Sequence, residues 1–115
     1  MAKRTLDPLP SAAFHILLAL AGEDLHGYGI MRQVAELTGG RVRLGPGTLY
    51  GSVKTLLEAG LIAEREAQAA DEGGERRRYY RLTAAGRKIA REESERLAHT
   101  LRIARARRIF RGANV

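Results

Sequence analysis

The 115-residue chain has no cysteine and no tryptophan, and aromatic residues make up only 5% of it. Without cysteine there is no disulfide scaffold, no thiol nucleophile and no cysteine-ligated zinc. Long apolar runs are missing as well: the longest, Ile16 to Ala21, has six residues, against roughly 18 for a membrane span. No transmembrane helix is expected. The opening MAKRTLDPLP has two basic residues but no apolar stretch or small-residue cleavage site behind them, so no secretory signal is read and a cytoplasmic protein is the simplest expectation. Acidic residues are outnumbered, 13 against 20 Lys and Arg, for a formal net charge of +7. That balance favours a polyanionic partner, nucleic acid ahead of an anionic membrane surface. Clustered ligating or catalytic groups are also lacking. His15, His26 and His99 are remote from one another, and no nucleophile stands beside a base, so no metal, no cofactor and no enzymatic activity is expected. The length suits one small domain and leaves no room for a catalytic cleft plus a second module.

What is present centres on GPGTLYGSVKTLLEAGLI, residues 45–62. Leu49, Val53, Leu56 and Leu57 repeat at helical spacing and predict a buried stripe on a helix of about four turns. Gly45 with Pro46 suits its start and Gly60 its left-handed stop. The remaining positions, Thr48, Tyr50, Gly51, Ser52, Lys54, Thr55 and Glu58, are small, hydroxyl-bearing or charged, a surface able to lie in a DNA groove.

Before this stretch, residues 1–10 read as a flexible arm. Ser11 is the expected cap of a first helix with Phe14, Leu17, Leu18 and Ala21 on one side and Ile16 and Leu20 widening the apolar surface. A helix so apolar predicts partners beyond its own core. Gly22 ends it, Glu23 to Leu25 turn, and His26 begins a second helix with Ile30, Val34 and Leu37 inward and Gly39 and Gly40 as the stop. His26 is read as a capping or packing residue. Gly27, Tyr28 and Gly29 lack the third glycine and the preceding strand of a dinucleotide site, so no phosphate cradle is expected there.

After the third helix, Leu61 to Gln68 and Arg76 to Leu82 predict two strands joined by AADEGGE, an exposed hairpin tip. Tyr80 and Leu82 share the anchoring face. Arg76, Arg77 and Arg78 fit either a solvated edge strand or a phosphate contact, and their place behind a groove-ready helix in a basic chain favours the latter. Thr83 then caps a final helix of up to about 28 residues. Along it Ala90, Ser94, Leu97, Leu101 and Ala104 form a narrow seam that predicts pairing with another helix, the first helix of a second copy. The basic end, Arg102, Arg105, Arg107, Arg108 and Arg111, is expected to complement the helix terminus and stay solvated.

The succession HGYGI, GPGTLYGSVKTLLEAGLI and ERRRYYRLTAAGRK resembles the PadR family of winged helix-turn-helix transcriptional regulators, in its short form with one C-terminal helix, over about residues 11 to 97. Many members carry proline where this chain has Gly51. The resemblance implies a mainly α (α+β) fold: three helices plus a two-stranded wing at 11–82, followed by a dimerisation helix and basic tail at 83–115. It also implies a homodimer on double-stranded DNA, usually a repressor, with the third helix in the major groove and the wing on the backbone. Thr48, Tyr50, Ser52 and Lys54, with Thr55 beside them, match the DNA-facing part of that helix, and Arg76, Arg77 and Arg78 match the wing. Phe14, Leu17 and Leu18 with the seam residues form the expected dimer interface. The apolar surface around Phe14 to Leu20 raises the hypothesis of a small apolar or aromatic effector at the junction of the first and last helices, with simple packing the favoured reading of the same surface. The competing reading is a non-specific architectural or RNA-binding basic protein, since charge alone encodes no specificity.

Overall fold

A twelve-residue helix, α1 (Ser11–Gly22), lies at the centre of the molecule because its side chains are apolar on almost every side. The computed structural model describes residues 9–66 and 78–112. Around α1 stand β1 (Leu25–His26), α2 (Gly27–Leu37), α3 (Pro46–Glu58), β2 (Ile62–Glu66), β3 (Arg78–Leu82) and α4 (Ala84–Ala106). α1 touches α2, α3, α4 and β3 of its own chain, and Ile16, Leu17 and Leu20 are buried among them. Its wide apolar surface is therefore explained mainly by its own core, and the expectation that it needs outside partners shrinks to one side. Ser11 does not cap it. The N-cap position belongs to Pro10, which makes no side-chain cap bond, and the Pro10 carbonyl accepts from the Phe14 amide at 2.9 Å.

The expected turn over Glu23 to Leu25 gives way at Leu25 to a two-residue strand. β1 pairs antiparallel with β3, Leu25 opposite Tyr80 and His26 opposite Tyr79. β3 also pairs with β2, from Ile62 opposite Leu82 to Glu66 opposite Arg78. The sheet thus has three strands in the order β1-β3-β2, where a two-stranded wing was expected. Asp24 and Arg65, 2.9 Å apart, tie the approach to β1 onto β2, and the Arg65 guanidinium lies 4.8 Å from the Tyr79 ring centre. The hairpin tip AADEGGE, Arg76, Arg77 and residues 1–8 lie outside the described residues.

α3 begins and ends where its local chemistry dictates. Gly45 is the N-cap, with Pro46 in the first turn, where its missing N–H costs nothing. At the other end Gly60 has φ 77°. Its amide donates to Leu57 O and that of Leu61 to Leu56 O, both at 3.0 Å, the paired bonds of a left-handed helix stop. Leu49 and Leu56 are fully buried and Val53 nearly so, which fixes the helix about its long axis. Full burial of each such side chain contributes about 1.5–3 kcal/mol.

α4 is held at its start. Thr83 Oγ1 accepts from the Gly86 amide at 3.0 Å and donates to the Gly60 carbonyl at 2.8 Å, joining the cap of one helix to the stop of another. Such a cap contributes about 1 kcal/mol. Gly86 is the buried residue of α4, and Ile89 and Ala90 pack against the core. Beyond them the helix runs on with most side chains exposed, and its 23 residues span about 34 Å at helical rise. It closes on Arg108, φ 66°, with the Ile109 amide donating to Ala104 O at 2.9 Å. Among the described residues no helix is long and apolar enough to cross a membrane.

Candidate nucleic-acid interface

Because Leu49, Val53 and Leu56 face the core, the rest of α3 faces out. Thr48, Tyr50, Gly51, Lys54 and Thr55 are exposed and Ser52 is half-buried. None of the described residues covers this side, and the α3 set expected from the sequence stands together on one helix. It divides into two flanks. Thr48, Ser52 and Thr55 line a groove of about 310 Å³ that α3 shares with Pro10 and Ala13 at the start of α1. Tyr50 lies on the opposite flank, its hydroxyl against Gly27 at the start of α2.

Hydrogen bonding within α3 limits what each group can offer a ligand. Thr55 Oγ1 donates its proton to Gly51 O at 3.1 Å, so its hydroxyl is left to accept. Lys54 supplies an ammonium with three donors. On the wing Arg78 is exposed, and its guanidinium sits 3.4 Å from Glu64. An ion pair this open to water contributes at most about 1 kcal/mol, a weak competitor for a phosphate. Arg76 and Arg77 lie outside the described residues.

His26 is the N-cap of α2: its Nδ1 accepts from the Gly29 amide at 3.1 Å. The ring also stacks near-parallel on Tyr28, centres 6.5 Å apart, and meets Tyr79 edge-on at 5.3 Å. These are the capping and packing roles read from the sequence. Two exposed cations escaped that reading. Arg41 and Arg43 are exposed on the segment entering α3, alternating with the half-buried Val42 and Leu44. That alternation is the signal that could have revealed them.

The residues expected at a dimer interface fall in two groups. Leu17 is fully buried among its own chain's core side chains and has no surface left for a second copy, which corrects its assignment. Phe14 is half-buried, and Leu18 and Leu97, each 38% exposed, present apolar surface on α1 and α4. Ala90, Leu101 and Ala104 are half-buried and Ser94 is exposed, its hydroxyl donating to Ala90 O at 2.9 Å. The apolar surface invoked for an effector is likewise mostly spent on the core, leaving Phe14 and Leu18. At the basic end, Arg105 donates to the Gly112 carbonyl, while Arg102, Arg107, Arg108 and Arg111 are exposed.

Comparison with known proteins matches residues 16–92 to the family described as "Transcriptional regulator PadR-like family". An uncharacterised 37.1 kDa protein in transposon TN4556 of Streptomyces fradiae is 39% identical over 83 residues, 72% of this chain, and the chain spans 22% of that relative's length. Among solved structures, a PadR family transcription regulator from Clostridium difficile superposes with a TM-score of 0.74 at 26% identity, covering 84% of this chain and 97% of the other. PadR of Bacillus subtilis, solved in complex with operator DNA, shares the fold with a TM-score of 0.63 at 23% identity, over 72% of this chain and 47% of that one.

Proposed function

Because the chain belongs to the PadR-like family of transcriptional regulators, we propose that it is a sequence-specific DNA-binding repressor acting as a homodimer on an inverted repeat. The observation that carries this reading is the exposed, polar and cationic side of α3, presented by a helix whose opposite side is locked by Leu49, Val53 and Leu56. In the major groove, Lys54 reads a guanine edge, Thr48 and Ser52 meet bases or phosphate, and Thr55 accepts from a base amino group. β2 and β3 lie on the flanking backbone, with Arg78 on phosphate. Two copies joined through α1 and α4 set two α3 helices about 34 Å apart, one duplex turn.

Base and backbone contacts separate experimentally. Lys54→Ala is expected to cost about 1–3 kcal/mol on the cognate duplex and to relax preference at one position. Arg78→Ala is expected to weaken cognate and shuffled duplexes alike and to reduce the slope of log affinity against log salt by about one. Fluorescence anisotropy across a salt series reads both. Equal loss on both duplexes for Lys54→Ala would move Lys54 to the backbone, whereas a wild type with no preference between the duplexes would favour a non-specific architectural protein.

A further inference from the structure

A cavity of about 550 Å³ opens between the start of α2, α3 and β3, lined by His26, Gly27, Tyr28, Tyr50, Arg78 and Tyr80. Its chemistry is one-sided. Phenol hydroxyls and a guanidinium supply donors, the first turn of α2 adds amides without intrahelical acceptors and partial positive charge, and no carboxylate is among the described residues that line it. Glu64 stands across from Tyr80 on β2 and holds Arg78 from outside the lining. His26 Nδ1 is already an acceptor for the Gly29 amide, so the neutral ring carries its proton on Nε2.

Tyr80 singles this cavity out from an ordinary helix start. It is only 5% exposed, yet its hydroxyl makes no hydrogen bond to another protein group among the described residues. A buried phenol normally finds a partner. Burial first, then the nearby Glu64 and Tyr50, push its pKa above the ordinary tyrosine value, with Arg78 opposing. It therefore keeps its proton and remains a donor at neutral pH. Gly27 completes the arrangement: a β-carbon there would collide with the Tyr50 hydroxyl, so the bare backbone is what lets that hydroxyl reach the start of α2.

We propose that this cavity is a site for one phosphoryl group, with Tyr80, Tyr50 and Arg78 donating to its oxygens at the N-terminus of α2. The described residues that line it include no glycine-rich loop, which is why the Gly27-Tyr28-Gly29 pattern gave no sign of it. The group has two sources. One is a backbone phosphate of bound duplex, which rests on the regulator reading above. The other is the phosphate of a small molecule, which would then compete with duplex for Tyr50 and Arg78.

The test uses the full chain, wild type against Tyr80→Phe and Gly27→Ala. Tyr80→Phe keeps the ring and removes the hydroxyl, while Gly27→Ala displaces the Tyr50 hydroxyl, a mobile side-chain end, without touching the core. In the first arm, potassium phosphate is titrated into DNA-free protein by NMR, with potassium chloride at matched ionic strength as control. In the second, anisotropy is measured on a selected duplex and on copies carrying single neutral methylphosphonate linkages. A backbone source gives about tenfold weaker duplex binding in either variant, an effect cancelled at one linkage. A small-molecule source gives saturable phosphate shifts in the wild type that both variants lose. Either result supports the site. Melting curves confirm that the variants fold, and unchanged behaviour of both folded variants in both arms overturns the proposal. Wild-type protein that cannot tell selected from shuffled duplex defeats the regulator reading instead, and the phosphate arm still decides the cavity.

Discussion

Leu18→Glu combined with Leu97→Glu is expected to leave the protein monomeric and to lower its affinity for a cognate duplex by about a thousandfold. Both leucines retain 38% exposure on the two helices α1 and α4, which touch each other within the chain. In a monomer the new carboxylates reach water, so the fold survives. Between two copies they would be desolvated facing apolar surface, at a cost of several kcal/mol per unpaired charge. The affinity loss follows from the proposed dimer losing its second half-site. Dimeric regulators bind specific DNA with Kd of about 10⁻⁸ to 10⁻¹¹ M, non-specific binding being about 10⁻⁴ to 10⁻⁶ M, and a thousandfold is about 4 kcal/mol. Sedimentation gives the assembly state and anisotropy the affinity. An unchanged dimer with both glutamates in place would move the interface elsewhere.

Gly86→Ala is expected to destabilise the fold by about 3 kcal/mol, the upper end for forced overpacking, and to lower Tm by on the order of 10 °C. A β-carbon at Gly86 would collide with the Leu61 carbonyl oxygen and come within 2.8 Å of Leu82 Cδ1. The first obstacle is backbone, which cannot swing aside. The same carbonyl accepts from the Thr83 amide at 3.2 Å, so displacing it also loosens the cap of α4 and its link to the end of α3. Tm by circular dichroism checks this. A variant melting within a degree or two of wild type would mean that α4 can lift off the Leu61 backbone without loss.

Stretches with strong local rules were legible from the sequence. Leu49, Val53 and Leu56 repeat at helical spacing and Gly45, Pro46 and Gly60 punctuate them, so α3 and its exposed side could be read directly. Thr83 was legible as a cap for the same reason. What escaped depends on distant pairing. Leu25–His26 is too short to show a period, and it is a strand only because β3 offers a free edge. Leu17 and Leu18 are neighbours with the same chemistry, and only the positions of α2, α3 and β3 around α1 decide that Leu17 is core and Leu18 is surface. Ser11 had the chemistry of a cap, yet Pro10 took the position one residue earlier. The Tyr80 hydroxyl beside Tyr50 and Arg78 joins residues some thirty positions apart, which no local pattern reports.

The most direct test of the exposed side of α3 as the DNA reader is to select duplexes from a random pool with the wild-type protein. Its affinity for the selected duplex is then compared with that for a shuffled duplex of equal composition at about 150 mM salt, beside Lys54→Ala. A preference of about 10³ or more for the selected duplex, sharply reduced by Lys54→Ala, is the expected result. Equal affinity of the wild type for both duplexes would contradict it.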